Sequence, residues 1–281
     1  MSKVCITGIT IYPVKSMKGI PLESSEITPE GLMYDRLWMV VRSNGRFVTQ
    51  RDLPQMALVH TSLDENGLVL SRPGFGSVTV PLQARDGSLI ETMVWNDVCE
   101  TIDQGEKYSS WLTDALESDT PLRLVRMKPS FKRSLSKAAL MSDQSTTHFA
   151  DGAPILVANE ASLVKLNTEL ESKSLPAVPM NRFRPNIVVT GLQPFQEHAL
   201  DTLTTDNYQL KLCFPCVRCI VTTINQDTAE KNPNGQPFKT LQRLNPAPGN
   251  KKAPIFGENA ILTHGNNKRV AVGDYLNIIF K

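Results

Sequence analysis

Cysteine is scarce in this chain of 281 residues: there are five, an odd number, and three crowd between positions 213 and 219. Without an export signal, that count excludes a disulfide framework and turns the thiols toward ligand or nucleophile work. Histidine is equally rare. His60, His148, His198 and His264 stand apart, with no H-x-x-x-H or C-x-x-H spacing, so neither a histidine metal site nor a Cys–His nucleophile pair has support. The absence of G-x-G-x-x-G, of a Walker loop and of G-x-S-x-G counts against nucleotide-dependent and serine-hydrolase chemistry. No apolar run approaches the roughly 18 to 20 residues of a membrane helix. The opening segment "MSKVCITGITIYPVKSMKG" alternates like a strand instead of running on like a signal peptide, so the expectation is a cytoplasmic protein with no membrane partner. Charge of one sign is lacking too. With 30 Lys and Arg against 28 Asp and Glu, and a sequence pI near 8.2, nucleic acid is not expected as the partner, and any basic site is local. No internal repeat or low-complexity tract is evident.

What is present is an ordinary globular composition, 41% hydrophobic and 21% charged, at a length that suggests one large domain or two intimate ones. Short β-type runs dominate. Asn44-Gly45 in "RLWMVVRSNGRFVTQR" and Asn66-Gly67 in "HTSLDENGLVLSR" each signal a hairpin. Further strands are expected at "GSVTVPL", "ETMVW", "LRLVRM", "NIVVTG", "YQLKLC" and "RVAVGDYLNIIF". Two helices stand out: one capped by Ser109 or Ser110 and carrying Trp111, Leu112, Ala115 and Leu116, the other capped by Asn159 and carrying Leu163, Leu166 and Leu170. The polar stretch "ESDTP" before Leu122 divides residues 1–120 from residues 121–281. Many short strands with few helices must hide their edges, so the fold class is β-rich α+β, barrel-like in both parts.

The chemistry concentrates in a few stretches. In "CFPCVRCIVTT", Cys213 falls opposite the Tyr208, Leu210 and Leu212 face of its strand and reads as a small packed thiol. Cys216 and Cys219 bracket Val217-Arg218 after Pro215, where a neighbouring guanidinium favours thiolate; one of them is a working sulfur. Three thiolates at this spacing also suit an iron–sulfur cluster or zinc, given a distant fourth ligand. "YPVKSMKG" places Lys15 and Ser16 after a strand, where ammonium and hydroxyl can hold an oxyanion, although a solvated lysine is the plain alternative. "NRFRPNIVV" sets Arg182, Arg184 and Asn186 around Pro185, a fork suited to phosphate or carboxylate, or to ordinary surface pairing. Arg36 beside Asp35 reads as an internal ion pair.

Taken in order, "YPVKSMKG", "GLMYDRLWMV", "FVTQRDLPQMALV", "FADGAPILVANEASL", "FRPNIVVTG", "CVRCIVTTIN", "GQPFKTLQ", "FGENA" and "VGDYL" resemble the MOSC family, named after the C-terminal domain of molybdenum cofactor sulfurase, and within it the bacterial YcbX-like proteins and the mitochondrial amidoxime-reducing components. The resemblance runs from about residue 4 to the carboxyl end. It implies an N-terminal β-barrel-like domain packed on a C-terminal barrel domain that binds molybdenum cofactor. Cys219 is then the metal ligand and Cys216 a nearby thiol. Lys15, Ser16, Arg36, Arg184 and Asn186 hold the pterin and its phosphate, Asp151 and Gly152 approach metal and pterin, and Arg218 and Asn259 add contacts. Asp151 is also the candidate proton relay or hydrogen-bond acceptor, with a simple turn role as its alternative. The family carries an association with pyridoxal phosphate as well.

The implied reaction is reduction of N-hydroxylated compounds, hydroxylamine-type bases or amidoximes, to amines or amidines by oxygen transfer to molybdenum. No cysteine follows Cys219, so the C-x4-C-x2-C ferredoxin run of some relatives does not occur in these residues, and the expectation is either an external electron donor, a ferredoxin or flavoprotein reductase, or a longer parent chain. The competing expectation is a carrier that passes on the cofactor, or sulfur as a persulfide on Cys216 or Cys219, without turnover of its own. "MKPSFKRSLSKAALMSDQSTTH" is expected to form a mobile rim, with Lys128, Lys132, Arg133 and Lys137 guiding an acidic partner or simply facing solvent.

Overall fold

Along Lys3–Ile11 the buried positions are Val4 and Ile6, then Ile9 and Ile11, so the inward parity switches midway. A strand can change the face it buries only by adding a residue, and the pairing with Ile187–Thr190 does slip between Ile6 and Gly8. This bulge lets the first strand enter a barrel formed mostly by the far end of the chain. The computed structural model describes residues 3–83, 87–134 and 145–281. Around the barrel, Ile155–Asn159 runs parallel to Ile187–Thr190, followed by Lys3–Ile11, Tyr275–Phe280, Leu200–Thr204, Gln209–Val217 and Asn250–His264. Asn250–His264 pairs back to Ile155–Asn159 and closes a seven-stranded circuit, which removes exposed edges.

The other part is open sheet. Trp38–Arg42, Leu122–Met127, Asp97–Asp103 and Leu89–Val94 form four strands, and His60–Asp64, Gly67–Arg72 and Gly76–Val80 form a meander. The two parts exchange strands across the sequence. Lys268–Ala271, late in the chain, pairs with Ser24–Thr28, while Leu122–Met127 pairs with strands that precede it. Each part has its own core: one around the wholly buried Trp38, with Val40, Leu70, Leu112 and Leu124, the other around Ile6, Ile9, Ile155, Ile187 and Leu210. No helix among the described residues is long and apolar enough to cross a membrane.

A hairpin turn forms at Asn44-Gly45, but only Gly45 is left-handed, at φ +77°, so it is not the type I′ turn that Asn-Gly signals; the Asn44 side chain accepts the Arg46 N–H. At the second hairpin Asp64 pairs directly with Gly67, so Glu65 and Asn66 make the turn and the Asp64 carboxylate accepts the N–H groups of Asn66 and Gly67. Helix α1, Glu106–Ala115, starts earlier than the serines suggested. Gly105 lets the chain turn, Asp103 accepts the Gly105 N–H, and Ser109 inside the helix donates to the Leu122 carbonyl.

Helix α2, Glu160–Glu171, is capped by Asn159 as expected: Oδ1 accepts the Ala161 N–H at 3.1 Å. Nδ2 of the same wholly buried amide donates to the Gln193 carbonyl and to Glu197. Asn159→Ala therefore loses the cap and strands buried acceptors. We expect about 2 to 3 kcal/mol of destabilisation, measured as a lowered urea midpoint at unchanged slope.

Candidate functional site

The seam between the two cores is built from chain ends that cannot continue as strand. Lys15 follows the turn after Lys3–Ile11, and its N–H reaches the Trp38 carbonyl of the open sheet. Arg36 lies in the turn before Trp38–Arg42, and its carbonyl accepts the Phe149 N–H. Arg184 and Asn186 precede Ile187–Thr190, and Arg218 and Cys219 follow Gln209–Val217. Ser16, Arg36 and Arg184 are all left-handed non-glycine residues, at φ +70°, +46° and +53°. Each costs about 1 kcal/mol or more and persists only where its surroundings dictate it, as at binding sites.

The ten residues that the resemblance assigns to metal and cofactor line one cavity of about 130 Å³, together with Cys216, while Arg182 and Cys213 lie outside its lining. A second space of about 340 Å³ adjoins it and shares Asp151, Gly152, Cys216, Arg218, Cys219 and Asn259. Five cations line the first cavity, Lys15, Arg36, Arg51, Arg184 and Arg218, against the single carboxylate of Asp151.

Lys15 is buried, with Nζ donating to the Phe149 carbonyl at 2.7 Å and to Asp151 Oδ1 at 2.5 Å. Burial lowers its pKa from the ordinary ammonium value, and Asp151 opposes the fall. For Asp151, desolvation works upward, but the Lys15 charge and hydrogen bond, then the Trp95 N–H at 2.8 Å, outweigh it and hold the carboxyl well below its usual range. Its side chain is 62% exposed at the cavity mouth.

Arg36 pairs with buried Asp35 at 2.5 Å, the internal ion pair expected, and also donates to Asn186 Oδ1 and the Arg184 carbonyl. The Asn186 amide is used inside the wall: Oδ1 also accepts the Leu156 N–H, and Nδ2 donates to the Thr10 carbonyl. Arg184 lies 4.1 Å from the Tyr12 ring centre and Arg36 4.5 Å from it. Arg184 forms no ion pair among the described residues; burial first, with Arg36 adding to it, brings its pKa down to about 10. Arg218 donates to Cys216 Sγ at 2.8 Å and to the Phe183 carbonyl, and its Nε is buried without a partner. A Cβ on Gly152 would sit 2.9 Å from Asn259 Oδ1, so a side chain there would displace the Asn259 amide.

The three crowded thiols diverge. Cys213 packs with Ala153, Phe214 and Ile261, and burial pushes its pKa up to about 11. Cys216 and Cys219 line the cavity, and Cys219 is exposed. Among the described residues no three His, Cys, Asp or Glu side chains converge on a metal position, so the iron–sulfur or zinc trio is not formed. The basic loop residues divide: Lys132 stays exposed, in line with the solvent-facing expectation, while Arg133 does not. Lys128 pairs with Glu100, Lys132 with Glu30, and Arg133 is buried against Asp97 and the carbonyls of His148 and Ala150. Lys137 and the middle of the expected rim lie outside the described residues.

Sequence reasoning missed Arg51 and Trp95. Arg51 stands in "FVTQRDLPQMALV" and could have been marked there. Trp95 has no local signal, yet it is left-handed at φ +56°, lies under Arg51 at 4.7 Å and bonds Asp151.

A closed barrel exchanges strands with an open β domain, and a cation-lined cavity with an exposed thiol lies at their seam, the arrangement of a two-part β protein with its site between the parts. Residues 3–119 match the model of the MOSC N-terminal beta barrel domain and residues 144–277 that of the MOSC domain, and the chain belongs to the MOSC family. Bos taurus mitochondrial amidoxime reducing component 2 is 32% identical over 263 residues, covering 90% of this chain and 77% of that protein. Homo sapiens mitochondrial amidoxime-reducing component 1 is 32% identical over 281 residues, covering 96% and 81%.

Two expectations follow. In Asp151→Asn the charge that props up the Lys15 pKa is gone while burial remains, so the Lys15 titration followed by NMR moves to lower pH; an unmoved titration would contradict the pairing. In the native protein iodoacetamide modifies exposed Cys219 well before Cys213 or buried Cys99, whose pKa is also pushed up to about 11, as read by peptide mass spectrometry.

Proposed function

We propose that the protein is a molybdenum-cofactor-dependent oxidoreductase that reduces N-hydroxylated small molecules, amidoximes or hydroxylamine-type bases, to amidines or amines. The observation that carries this reading is a cavity combining five cations with an exposed cysteine. It is supported by relatives that are named for amidoxime reduction.

The residues fit such a cofactor. Arg184, without a carboxylate partner, and the orphaned Nε of Arg218 are donors in need of an acceptor, and the excess of positive charge suits a phosphate-bearing pterin. Lys15, Ser16, Arg36 and Arg184 would hold the phosphate and pterin, with Asn186 fixing Arg36 from behind. Gly152 and Asn259 would let the ring approach the backbone, and Cys219 would ligate the metal. When bound, the cofactor supplies a two-electron redox centre. The N–O bond breaks with uptake of two electrons and two protons and loss of water.

The chain's own contribution is placement. Arg218 holds the Cys216 sulfur, so Cys219 is the thiol left open for ligation. Asp151, kept ionised at neutral pH, acts as a hydrogen-bond acceptor more readily than as an acid. Both protein donors to it use Oδ1, which leaves Oδ2 for a substrate N–H or O–H. The adjoining 340 Å³, walled by Trp95, Asn96, Pro215 and Val217, has room for a small, partly apolar base. Electrons would come from a separate ferredoxin or flavoprotein reductase.

The test is protein made in a host that produces molybdenum cofactor, analysed for molybdenum and pterin and assayed on benzamidoxime with a reduced viologen. We expect near-stoichiometric metal and steady turnover in the wild type, and at least about a hundredfold loss of turnover in Cys219→Ser. Loaded protein that never turns over would make it a carrier instead.

A further inference from the structure

Beside the cavity mouth lies an open depression lined by Arg42, Arg46, Arg51, Phe47, Met93 and Trp95. Three basic side chains elsewhere in the seam are paired with carboxylates, Lys15 with Asp151, Arg36 with Asp35 and Arg133 with Asp97, while Arg184 and Arg218 belong to the cavity itself. The three arginines of the depression form no ion pair among the described residues. Arg42 donates only to the Thr120 hydroxyl, and Arg51 lies over the Trp95 ring. The single carboxylate in the lining, Asp52, is engaged by the Thr49 N–H and hydroxyl. The surface is held in place, because the Asn44-Gly45 hairpin is pinned to Leu89–Val94 through Met93 N–H to the Gly45 carbonyl and Phe47 N–H to the Met93 carbonyl.

We propose that this depression is the docking surface for an acidic electron-donor protein; the inference rests on the functional reading above and adds where the donor binds. Exposed guanidinium groups contribute little each to holding a small ion in water, whereas a surface of several carboxylates adds their contributions and is steered by the field from a distance. Met93 and Trp95, 40% and 44% exposed, supply the apolar contact that such an interface needs at its centre. Position decides the role. Trp95 walls both the depression and the space beside Cys219, and Arg51 lines both the depression and the cationic cavity, so a protein seated here abuts the redox site. The loop cations Lys128, Lys132 and Arg133, being paired internally, are not the docking charges.

The experiment compares the cofactor-loaded wild type with Arg42→Glu/Arg46→Glu, leaving Arg51 intact. Binding of a plant-type ferredoxin, an acidic one-electron carrier, is measured by biolayer interferometry at 20 and 300 mM salt, and benzamidoxime turnover is driven by that ferredoxin or by reduced viologen. We expect wild-type binding that weakens with salt, at least a tenfold loss of binding and of ferredoxin-driven kcat/KM in the variant, and unchanged viologen-driven turnover. Equal binding by both proteins, no wild-type binding, or equal losses with both donors overturns the proposal. So does capture of inorganic phosphate without ferredoxin, which would assign the arginines to a small anion. Loss of amidoxime turnover with both donors in the wild type itself refutes the functional reading, while the binding comparison still decides the docking surface.

Discussion

The buried ion pair of Asp35 and Arg36 is the constraint on which the seam depends. One Asp35 oxygen accepts the Tyr12 N–H and the other holds Arg36, which reaches on to Asn186 and the Arg184 carbonyl. Asn186 in turn ties Thr10 to Leu156. This one chain of polar contacts joins the first barrel strand, the turn into the open sheet and the entrance of two further barrel strands. Removing one partner of such a pair leaves a buried charge without compensation, a loss of about 3 to 5 kcal/mol. The same contacts set the spacing of the cationic wall.

That wall is expensive to assemble without an anion. Arg36 and Arg184 crowd one tyrosine ring, and Arg184 forms no ion pair among the described residues. Three left-handed non-glycine residues lie in the same wall. A ligand carrying several negative charges would relieve the repulsion and satisfy the free donors. Binding the folded state alone, it would stabilise the fold. Structural strain and binding energy would then be coupled through the same side chains.

Motif order carried much of this site because strand ends and turns are local. Lys15-Ser16 and Arg218-Cys219 are short stretches whose residue types already suggest anion or metal chemistry, whereas Asp151-Gly152 came through the resemblance alone. The cap at Asn159 was legible for the same reason, since the acceptor and the N–H it serves are two residues apart. Helix α1 was misplaced because a glycine and an aspartate before it outcompete the serines within it. The pairing of the loop lysines was not legible because their acidic partners, Glu100 and Glu30, are distant in sequence. Trp95 was invisible: its meaning lies in touching Asp151, 56 residues away.

By itself the sequence determined the strand-rich pattern, the local turns, the residue types of the site and, through the serial motifs, the family. Alternation, capping and charge act over a few residues, so they can be read along the chain. Only the tertiary structure decided that Arg218 reaches the Cys216 sulfur, that the bulge after Ile6 carries the first strand into the barrel, and that among the described residues Arg42, Arg46 and Arg51 form no ion pair while Lys128 and Lys132 do. Those outcomes depend on register and on charges meeting across long stretches of chain, and both are settled only when the strands close.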